Sequence, residues 1–244
     1  MCSVHLCGGF DPSGAGSTML DPNHSDRAAL LRAKGGPKAA LFWLARRALH
    51  LDVYRFYAIA LAGIDHGLPP PLPDGYSVIA LRNPSEISTC NPHLVEQLDA
   101  RSGCGVATAL RQHGRVYAIT DGHRVVAQLR IDFQYANVDT PTNLIMDFGE
   151  KSAFLSFLYT VPSSRRSGWA TYLISAACAD LARDGVRVCV CHVQATNVRS
   201  INTFVRSGWI PIALLVTTTG KRRLWVHRSS RAAQLGIPLK VSPI

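Results

Sequence analysis

The fold is decided by one stretch in the second half of the chain, Leu155-Ser156-Phe157-Leu158-Tyr159-Thr160-Val161-Pro162-Ser163-Ser164-Arg165-Arg166-Ser167-Gly168-Trp169-Ala170. Its apolar and aromatic beginning predicts a largely buried strand. Pro162 ends that strand, because proline cannot donate a hydrogen bond to a β-ladder. A polar turn follows, and then a helical pattern that runs to about Asp184. The stretch therefore predicts a strand, a short turn and the open N-terminus of a helix.

The turn before this helix has the features of an anion site. The first turn of a helix carries N–H groups without partners inside the helix, and the helix dipole adds partial positive charge there. Gly168 lets a ligand approach the backbone closely, and Arg165 and Arg166 supply two charged donors. We expect a phosphate or a pyrophosphate here, and the alternative is an ordinary strand-to-helix turn with solvated arginines.

A second strand and a second helix follow. Arg187 to Val193 is β-branched and rich in cysteine, which predicts a buried strand parallel to the first. Asn197 is a good N-cap for the next helix and Gly208 a good stop. Helical spacing predicts that the buried face of this helix is formed by Ile201, Phe204 and Val205.

Two motifs in this half of the chain resemble those of the GNAT N-acetyltransferase superfamily. They are Arg165-x-x-Gly168-x-Ala170 and Asn197-x-x-Ser200-x-x-x-Phe204-x-x-x-Gly208-Trp209, in the family's order. The resemblance covers roughly Tyr76 to Arg228. It implies an α/β (α+β) fold with a mixed, mostly antiparallel central sheet, helices on both faces and a splayed parallel pair at the cofactor site.

The resemblance also implies acetyl-CoA, or another acyl-CoA, as co-substrate, and it implies where that molecule binds. The pantetheine arm would pair with the backbone of the strand end, the pyrophosphate would lie on the turn, and the second helix would border the pantetheine. The residues implied are Leu158, Tyr159, Thr160, Val161, Arg165, Arg166, Ser167, Gly168, Trp169, Ala170, Asn197, Ser200 and Phe204.

The sequence departs from the family at two catalytic positions. Phe204 stands where many members carry a tyrosine that protonates the leaving thiolate, and Leu155 stands at or near a common glutamate. As substitutes we name Tyr159, the hydroxyl nearest the implied thioester, and His192, whose pKa range suits proton transfer. Core packing is the alternative role for both. Asp147 and Glu150 are further carboxylates before the strand, for which solvated loop positions are the preferred interpretation.

The remaining pattern divides the chain into four parts. Residues 1–38 are expected to be a flexible leader without a secretory signal, 39–74 a basic, apolar-rich helical extension with a Pro-rich linker, 75–228 the acyltransferase domain, and 229–244 a tail without clear pattern. Ala39 to Leu51 reads as a helix that packs on the domain or a second subunit, and membrane-surface contact is the less favoured alternative.

Within the domain, turn signals and periodicity predict further elements. We expect a strand over 76–82, helices over 84–100 and 105–113, a hairpin of 115–120 with 124–133, a polar loop over 135–142 and a hairpin of 212–216 with 223–227. Val53 to Ile64, before the linker, also reads as a strand.

Composition limits the function classes. The net charge of +10 points to anionic partners. The seven cysteines are an odd number and lack zinc-site spacing, so we expect no metal, free thiols and a cytoplasmic location. Cys189 and Cys191 should fill core on one face of a strand. A P-loop hydrolase is disfavoured, because no Gly-Lys-Ser/Thr follows the turn.

The sequence thus predicts an acyl-CoA-dependent N-acyltransferase that transfers an acetyl group to a primary amine by direct attack. Two alternatives stay open. One is a catalytically weak acyl-CoA-binding module, motivated by Phe204 and Leu155. The other is a basic nucleic-acid or membrane-surface protein, motivated by the net charge. For the enzyme we expect an acyl-CoA and an amine acceptor as partners and no nucleic acid, with the oligomeric state open.

Overall fold

The computed structural model describes residues 44, 48–61, 71–137, 144–218 and 223–243. The strands are β1 (Leu51–Ala60), β2 (Ser77–Leu81), β3 (Arg115–Thr120), β4 (Val125–Phe133), β5 (Tyr135–Asn137), β6 (Leu144–Asp147), β7 (Ser152–Thr160), β8 (Val188–Gln194), β9 (Ile210–Thr218), β10 (Arg223–Arg228) and β11 (Lys240–Pro243). The helices are α1 (Pro92–Asp99), α2 (Val106–Arg111), α3 (Trp169–Arg183), α4 (Val198–Arg206) and α5 (Ser230–Gln234).

A large mixed sheet organises these elements in the order β10-β9-β1-β8-β7-β4-β3-β2. Its neighbouring strands are antiparallel except for β7 and β8, which are parallel. One face packs against α3 and against Phe204 of α4. The other face packs against α1 and α2 at one end and against α5 and β6 at the other. The predicted fold class, a mostly antiparallel mixed sheet with helices on both faces, is confirmed.

The strand β1 lies in the middle of this sheet, between β8 and β9. It pairs antiparallel with both neighbours, for example Tyr57 with Cys191 and Tyr54 with Leu215. Phe56 and Tyr57 are buried. The apolar run that predicted a strand before the linker is therefore part of the same sheet as the domain that follows it.

The tail after Ser229 is also structured, although its sequence shows no clear pattern. It forms α5 and β11, and β11 pairs with β6 in a small sheet of order β11-β6-β5. Ala232, Ile237 and Leu239 from this tail are buried against the large sheet. Elements of four and five residues are too short to show a hydrophobic period, which explains why the sequence did not reveal them.

Two predictions of local structure need correction. The single helix expected over 84–100 is a 3₁₀ turn, Pro84–Thr89, followed by α1. Asn91 caps α1 by accepting a hydrogen bond from the backbone N of His93 at 3.0 Å, and Pro92 is the first residue of α1. Because the residue before a proline disfavours the helical conformation, the predicted helix is interrupted at Asn91. Tyr135–Asn137 is a strand where a loop was expected, and residues 138–142 lie outside the described part.

Most of the predicted core is confirmed. Cys189 and Cys191 are buried side by side on the α3 face. Val205 was predicted to be buried and is 51% exposed, because α4 turns only Phe204 and Ile201 toward the core. Most of the helix predicted over 39–51 lies outside the described residues, and Leu44 and Leu49 at its described positions are exposed. Among the helices that are described, none is long and apolar enough to span a membrane.

Candidate active site

The two parallel strands separate part-way along their length. β7 pairs with β8 only over Ser152–Leu155 and Val188–Cys191. Beyond these residues β7 stays with β4, while β8 stays with β1, where His192 pairs with Phe56. In the described part of the chain no strand pairs with the β8-facing edge of β7 after Leu155. A V-shaped opening therefore begins at Ser156 and His192, with free backbone groups along the β7 side.

A bulge in β7 lies directly after this opening. Opposite β4 the register changes between Ser156, which pairs with Arg130, and Tyr159, which pairs with Gln128. Phe157 in the bulge has φ of +51°, a rare conformation for a bulky residue. Bulges re-aim the side chains that follow them. Here Leu158 packs toward the α3 face, while the ring of Tyr159 lies beneath the guanidinium of Arg101, which follows α1.

The N-terminus of α3 lies beyond the end of β7, after the 3₁₀ turn Pro162–Ser164. Gly168 is its N-cap, with φ of +82° and no side-chain cap hydrogen bond. Arg165 and Arg166 are exposed beside it, and Arg165 Nε donates to the carbonyl O of Thr160 at 3.2 Å. Trp169, the first residue of the helix, packs against Tyr76 with ring centroids 4.6 Å apart and ring planes tilted by 34°. The N–H groups of the first helical turn and two guanidinium groups can together bind an anion.

The helix α4 begins as predicted. The side chain of Asn197 accepts a hydrogen bond from the backbone N of Ser200 at 3.2 Å, which caps the helix. Ser200 is half-buried. Phe204 is only 3% exposed, and its ring packs edge-on against Trp209 with centroids 5.0 Å apart. Of these residues, Phe204 therefore has little surface with which to contact a ligand.

The two catalytic candidates lie on the sheet face opposite α3, one on each side of the opening. Tyr159 is half-buried under Arg101, with the guanidinium carbon 3.8 Å from the ring centroid. His192 is half-buried among the rings of Tyr54, Phe56 and Phe154, at centroid distances of 5.4 to 5.7 Å. This aromatic surround is typical of a structural histidine. The sheet thus places both residues at the opening, with His192 the more enclosed.

The further carboxylates expected before the strand are not brought to the opening. Asp147 and Glu150 stand before Ser152, at the end of β7 where it is still paired with β8. Asp147 Oδ1 accepts a hydrogen bond from the backbone N of Gly149 at 2.8 Å, and Glu150 is exposed. Glu150 lies in the turn that leads into β7, as the preferred interpretation held, whereas Asp147 is the half-buried last residue of β6 and not a solvated loop residue.

A half-buried carboxylate beside the opening was missed. Asp132 on β4 accepts hydrogen bonds from Arg130 Nε at 2.7 Å and from Ser156 Oγ at 3.2 Å. Burial raises the pKa of the Asp132 carboxyl above its ordinary value, although Arg130 and Ser156 oppose that shift. In the sequence, Gln128, Arg130 and Asp132 alternate with apolar residues, which places all three on one face of β4. This period-2 pattern could have predicted a polar group there.

Comparison with known proteins places the chain in a family. Residues 76–209, more than half of the 244 residues, match the sequence model of the Acetyltransferase (GNAT) family. The chain belongs to the GNAT acetyltransferase family. No curated protein matches the sequence. The GNAT match begins before β2 and ends at Trp209, so β1 and everything from β9 onward lie outside it.

Several solved structures are similar to this GNAT chain. A GNAT-family protein from Novosphingobium aromaticivorans DSM 12444 has 17% identity and a TM-score of 0.44, over 68% of this chain and 62% of its own. A GCN5-related N-acetyltransferase-like protein from Streptococcus suis 89/1591 has 13% identity and a TM-score of 0.46, over 72% and 66%. A GCN5-related N-acetyltransferase from Sphaerobacter thermophilus has 15% identity and a TM-score of 0.43, over 76% of this chain and 57% of its own. The chain thus spans less than two thirds of the length of each.

Proposed function

We propose that this GNAT-family protein transfers an acetyl group from acetyl-CoA to a primary amine by direct attack of the amine on the thioester. One observation carries the proposal. In the described part of the chain, the edge of β7 that has no strand partner after Leu155 is followed by the N-terminus of α3, which has no side-chain cap. The pantetheine arm of acetyl-CoA needs backbone hydrogen-bond partners, and its pyrophosphate needs N–H donors. The strand edge and the helix N-terminus would supply them one after the other.

The residues along this path fit an acyl-CoA. The backbone of Leu158 to Val161 would pair with the pantetheine arm, since β4 occupies only the other edge of β7. The turn from Arg165 to Ala170 would hold the pyrophosphate, with Arg165 and Arg166 as charged donors. Asn197, Ser200 and Phe204 would border the pantetheine from α4, where Asn197 and Ser200 carry the accessible surface.

The chemistry requires an in-line approach and a route for protons. In direct transfer the amine nitrogen forms the new bond to the acyl carbon, and the bond to the thiolate sulfur breaks. A primary alkylamine is almost fully protonated at neutral pH, so it must first lose a proton. His192 and Tyr159 flank the opening and are the nearest titratable groups named from the sequence. The thiolate can leave without a dedicated acid, because thiols are much more acidic than amines.

Calorimetric titration of acetyl-CoA into the wild type and into Gly168→Glu tests the proposal. The substitution places a negative charge at the N-terminus of α3, where the pyrophosphate should lie, so binding should be lost. Gly185→Glu is the matched control. Gly185 also has positive φ and open space where a side chain would begin, but it follows the C-terminus of α3.

We expect the wild type and Gly185→Glu to bind acetyl-CoA and Gly168→Glu not to bind. Because both substitutions force a side chain onto a left-handed backbone, they carry a similar folding cost, of about 1 kcal/mol. Equal binding by the two variants would remove the turn from the cofactor site. Failure of the wild type to bind any acyl-CoA would contradict the acyltransferase proposal and favour the basic-surface alternative.

A second candidate function is acyl-CoA binding with weak catalysis. It is favoured by the burial of Leu155 and Phe204, because both positions are apolar and enclosed where many family members place a catalytic carboxylate and hydroxyl. Single-turnover measurements across a panel of amines separate the two candidates. Acetylation of any amine within the lifetime of the complex supports the enzyme, and binding without acetylation supports the module.

A further inference from the structure

One arginine beside the opening differs from its neighbours. Arg101 follows α1 and lies over the ring of Tyr159, with the guanidinium carbon 3.8 Å from the ring centroid. This contact uses the face of the aromatic ring. Within the described residues the Arg101 guanidinium makes no hydrogen bond and no ion pair, and the residue is exposed. Its N–H donors are therefore available to a ligand.

The other arginines that pack on β2, β3, β4 and α3 have acidic partners. Aspartates pair with Arg82, Arg115, Arg124, Arg130 and Arg183. The acidic residue nearest to Arg101 in sequence, Asp99, is occupied elsewhere, because its Oδ1 accepts a hydrogen bond from the backbone N of Val106 at 2.6 Å. The side of the opening formed by Tyr159 thus carries a positive charge that no described carboxylate matches.

The loop that carries Arg101 is fixed against the bulge of β7. Gly103 packs directly on the ring of Phe157, so closely that a Cβ at position 103 would lie 2.2 Å from Phe157 Cζ. On the other side, Arg130 Nη1 donates to the Sγ of Cys104 at 2.8 Å and to the carbonyl O of Ser102 at 3.4 Å. These contacts hold the backbone of the loop in place, and the contact with the Tyr159 ring orients the Arg101 guanidinium.

We infer that the acceptor amine carries its own carboxylate, as a free amino acid does, and that Arg101 binds this carboxylate. The inference rests on the proposed function and names the acceptor class for the same site. An acceptor and an acyl-CoA that cover Tyr159 also remove water from Arg101, and a desolvated cation without a partner is costly. A carboxylate next to the amine supplies that partner, and guanidinium and carboxylate groups match in shape and charge.

Matched acceptor pairs test the inference. The wild type is assayed with acetyl-CoA and with each of several amino acids beside its carboxamide, for example glycine with glycinamide and alanine with alaninamide. Products are quantified by mass spectrometry, because the seven cysteines of the chain would interfere with thiol reagents. A neighbouring carboxylate favours the protonated amine, so intrinsic reactivity alone would favour the amide. A preference for the acid therefore reports recognition.

We expect kcat/KM for at least one acid to exceed that of its amide by about 10- to 100-fold, the range for a hydrogen bond to a charged group. Arg101→Gln should reduce that ratio by a similar factor, and Arg101→Lys, which keeps the charge, should reduce it less. The control is Arg111→Gln, which removes an exposed arginine of α2 whose guanidinium donates to Thr108 Oγ1 on the same helix. That variant should keep the wild-type ratio.

The outcomes separate this inference from the proposed function. Acetyl-CoA binding is titrated on every preparation, which also reports folding of the variants. If acetyl-CoA binds and amides are acetylated as well as acids, or no acid is acetylated at all, the inference is wrong and the proposed cofactor site stands. An unchanged acid-to-amide ratio in Arg101→Gln also overturns it. If the wild type does not bind acetyl-CoA, the proposed function fails and the inference fails with it.

Discussion

The substitution Asp180→Asn tests what holds α3 against the sheet. The Asp180 side chain is 8% exposed and accepts hydrogen bonds from Tyr117 Oη at 2.6 Å and Arg82 Nη2 at 2.6 Å. Arg115 Nη1 lies 3.3 Å and Arg183 Nη2 3.0 Å from it. Its partners come from β3, from the residue after β2 and from α3 itself, so one carboxylate joins three elements.

The expected loss of stability follows from how exposed each partner is. Arg82 and Arg183 are 45% and 68% exposed, so each pair contributes at most about 1 kcal/mol. Tyr117 is 2% exposed and the Arg115 side chain 17%. In asparagine one carboxylate oxygen becomes an NH2 donor, so these two groups lose their charged acceptor and must share one neutral oxygen with Arg82 and Arg183. Breaking a buried pair costs about 3–5 kcal/mol. Arg115 keeps Asp184 as a partner, so we expect about 3 kcal/mol in total.

Urea unfolding followed by circular dichroism measures this loss. Asp184→Asn is the control, because Asp184 is 45% exposed and pairs with Arg115. In this variant Arg115 keeps Asp180 as a partner, so loss of the Asp184 charge should cost less than about 1 kcal/mol. If Asp180→Asn and Asp184→Asn lower the free energy of unfolding equally, the reasoning from burial is refuted.

Two further predictions concern acid stability and the loop at the opening. Burial alone would raise the pKa of Asp180, but hydrogen bonds from Arg82 and Tyr117 hold that pKa below its ordinary value. The ionised Asp180 therefore stabilises the fold above about pH 4, and this stabilisation is lost as the pH falls through the folded-state pKa. Acid titration should therefore destabilise the wild type more steeply than Asp180→Asn, and parallel curves would contradict this. Gly103→Ala should lower the free energy of unfolding by about 1 kcal/mol more than Gly75→Ala, because Gly75 has a similar positive φ but open space where a Cβ would lie. Removal of the Phe157 ring should abolish that difference.

The sequence predicted the parts of the fold that depend on local pattern. The turn after β7, the whole of α3, the strand β8 and the capped helix α4 follow from proline, glycine and N-cap positions and from hydrophobic period. The position of β1 could not be predicted in this way. Its apolar run indicates a strand, but its pairing of Tyr57 with Cys191 joins residues more than a hundred positions apart, and no local pattern specifies such a partner.

The candidate site shows the same division. The turn with Arg165 and Gly168, which we propose as the anion site, could be located from the sequence, because all its parts lie within a few residues. The bulge at Phe157 could not be predicted, because an apolar run contains no signal for a positive φ at a bulky residue. Arg101 was missed for another reason: its significance depends on the ring of Tyr159, which only the fold brings beneath it.

The position of β1 also affects the candidate active site. The β8 side of the opening begins at His192, and in the described structure β8 is held from there onward by β1, through the pairs of His192 with Phe56 and Gln194 with Tyr54. The rings of Tyr54 and Phe56 also enclose His192. These residues of β1 lie outside the part of the chain that matches the GNAT family. The width of the opening and the setting of one catalytic candidate therefore depend on a strand that the family match does not include, so the family match alone does not determine the geometry of the candidate site.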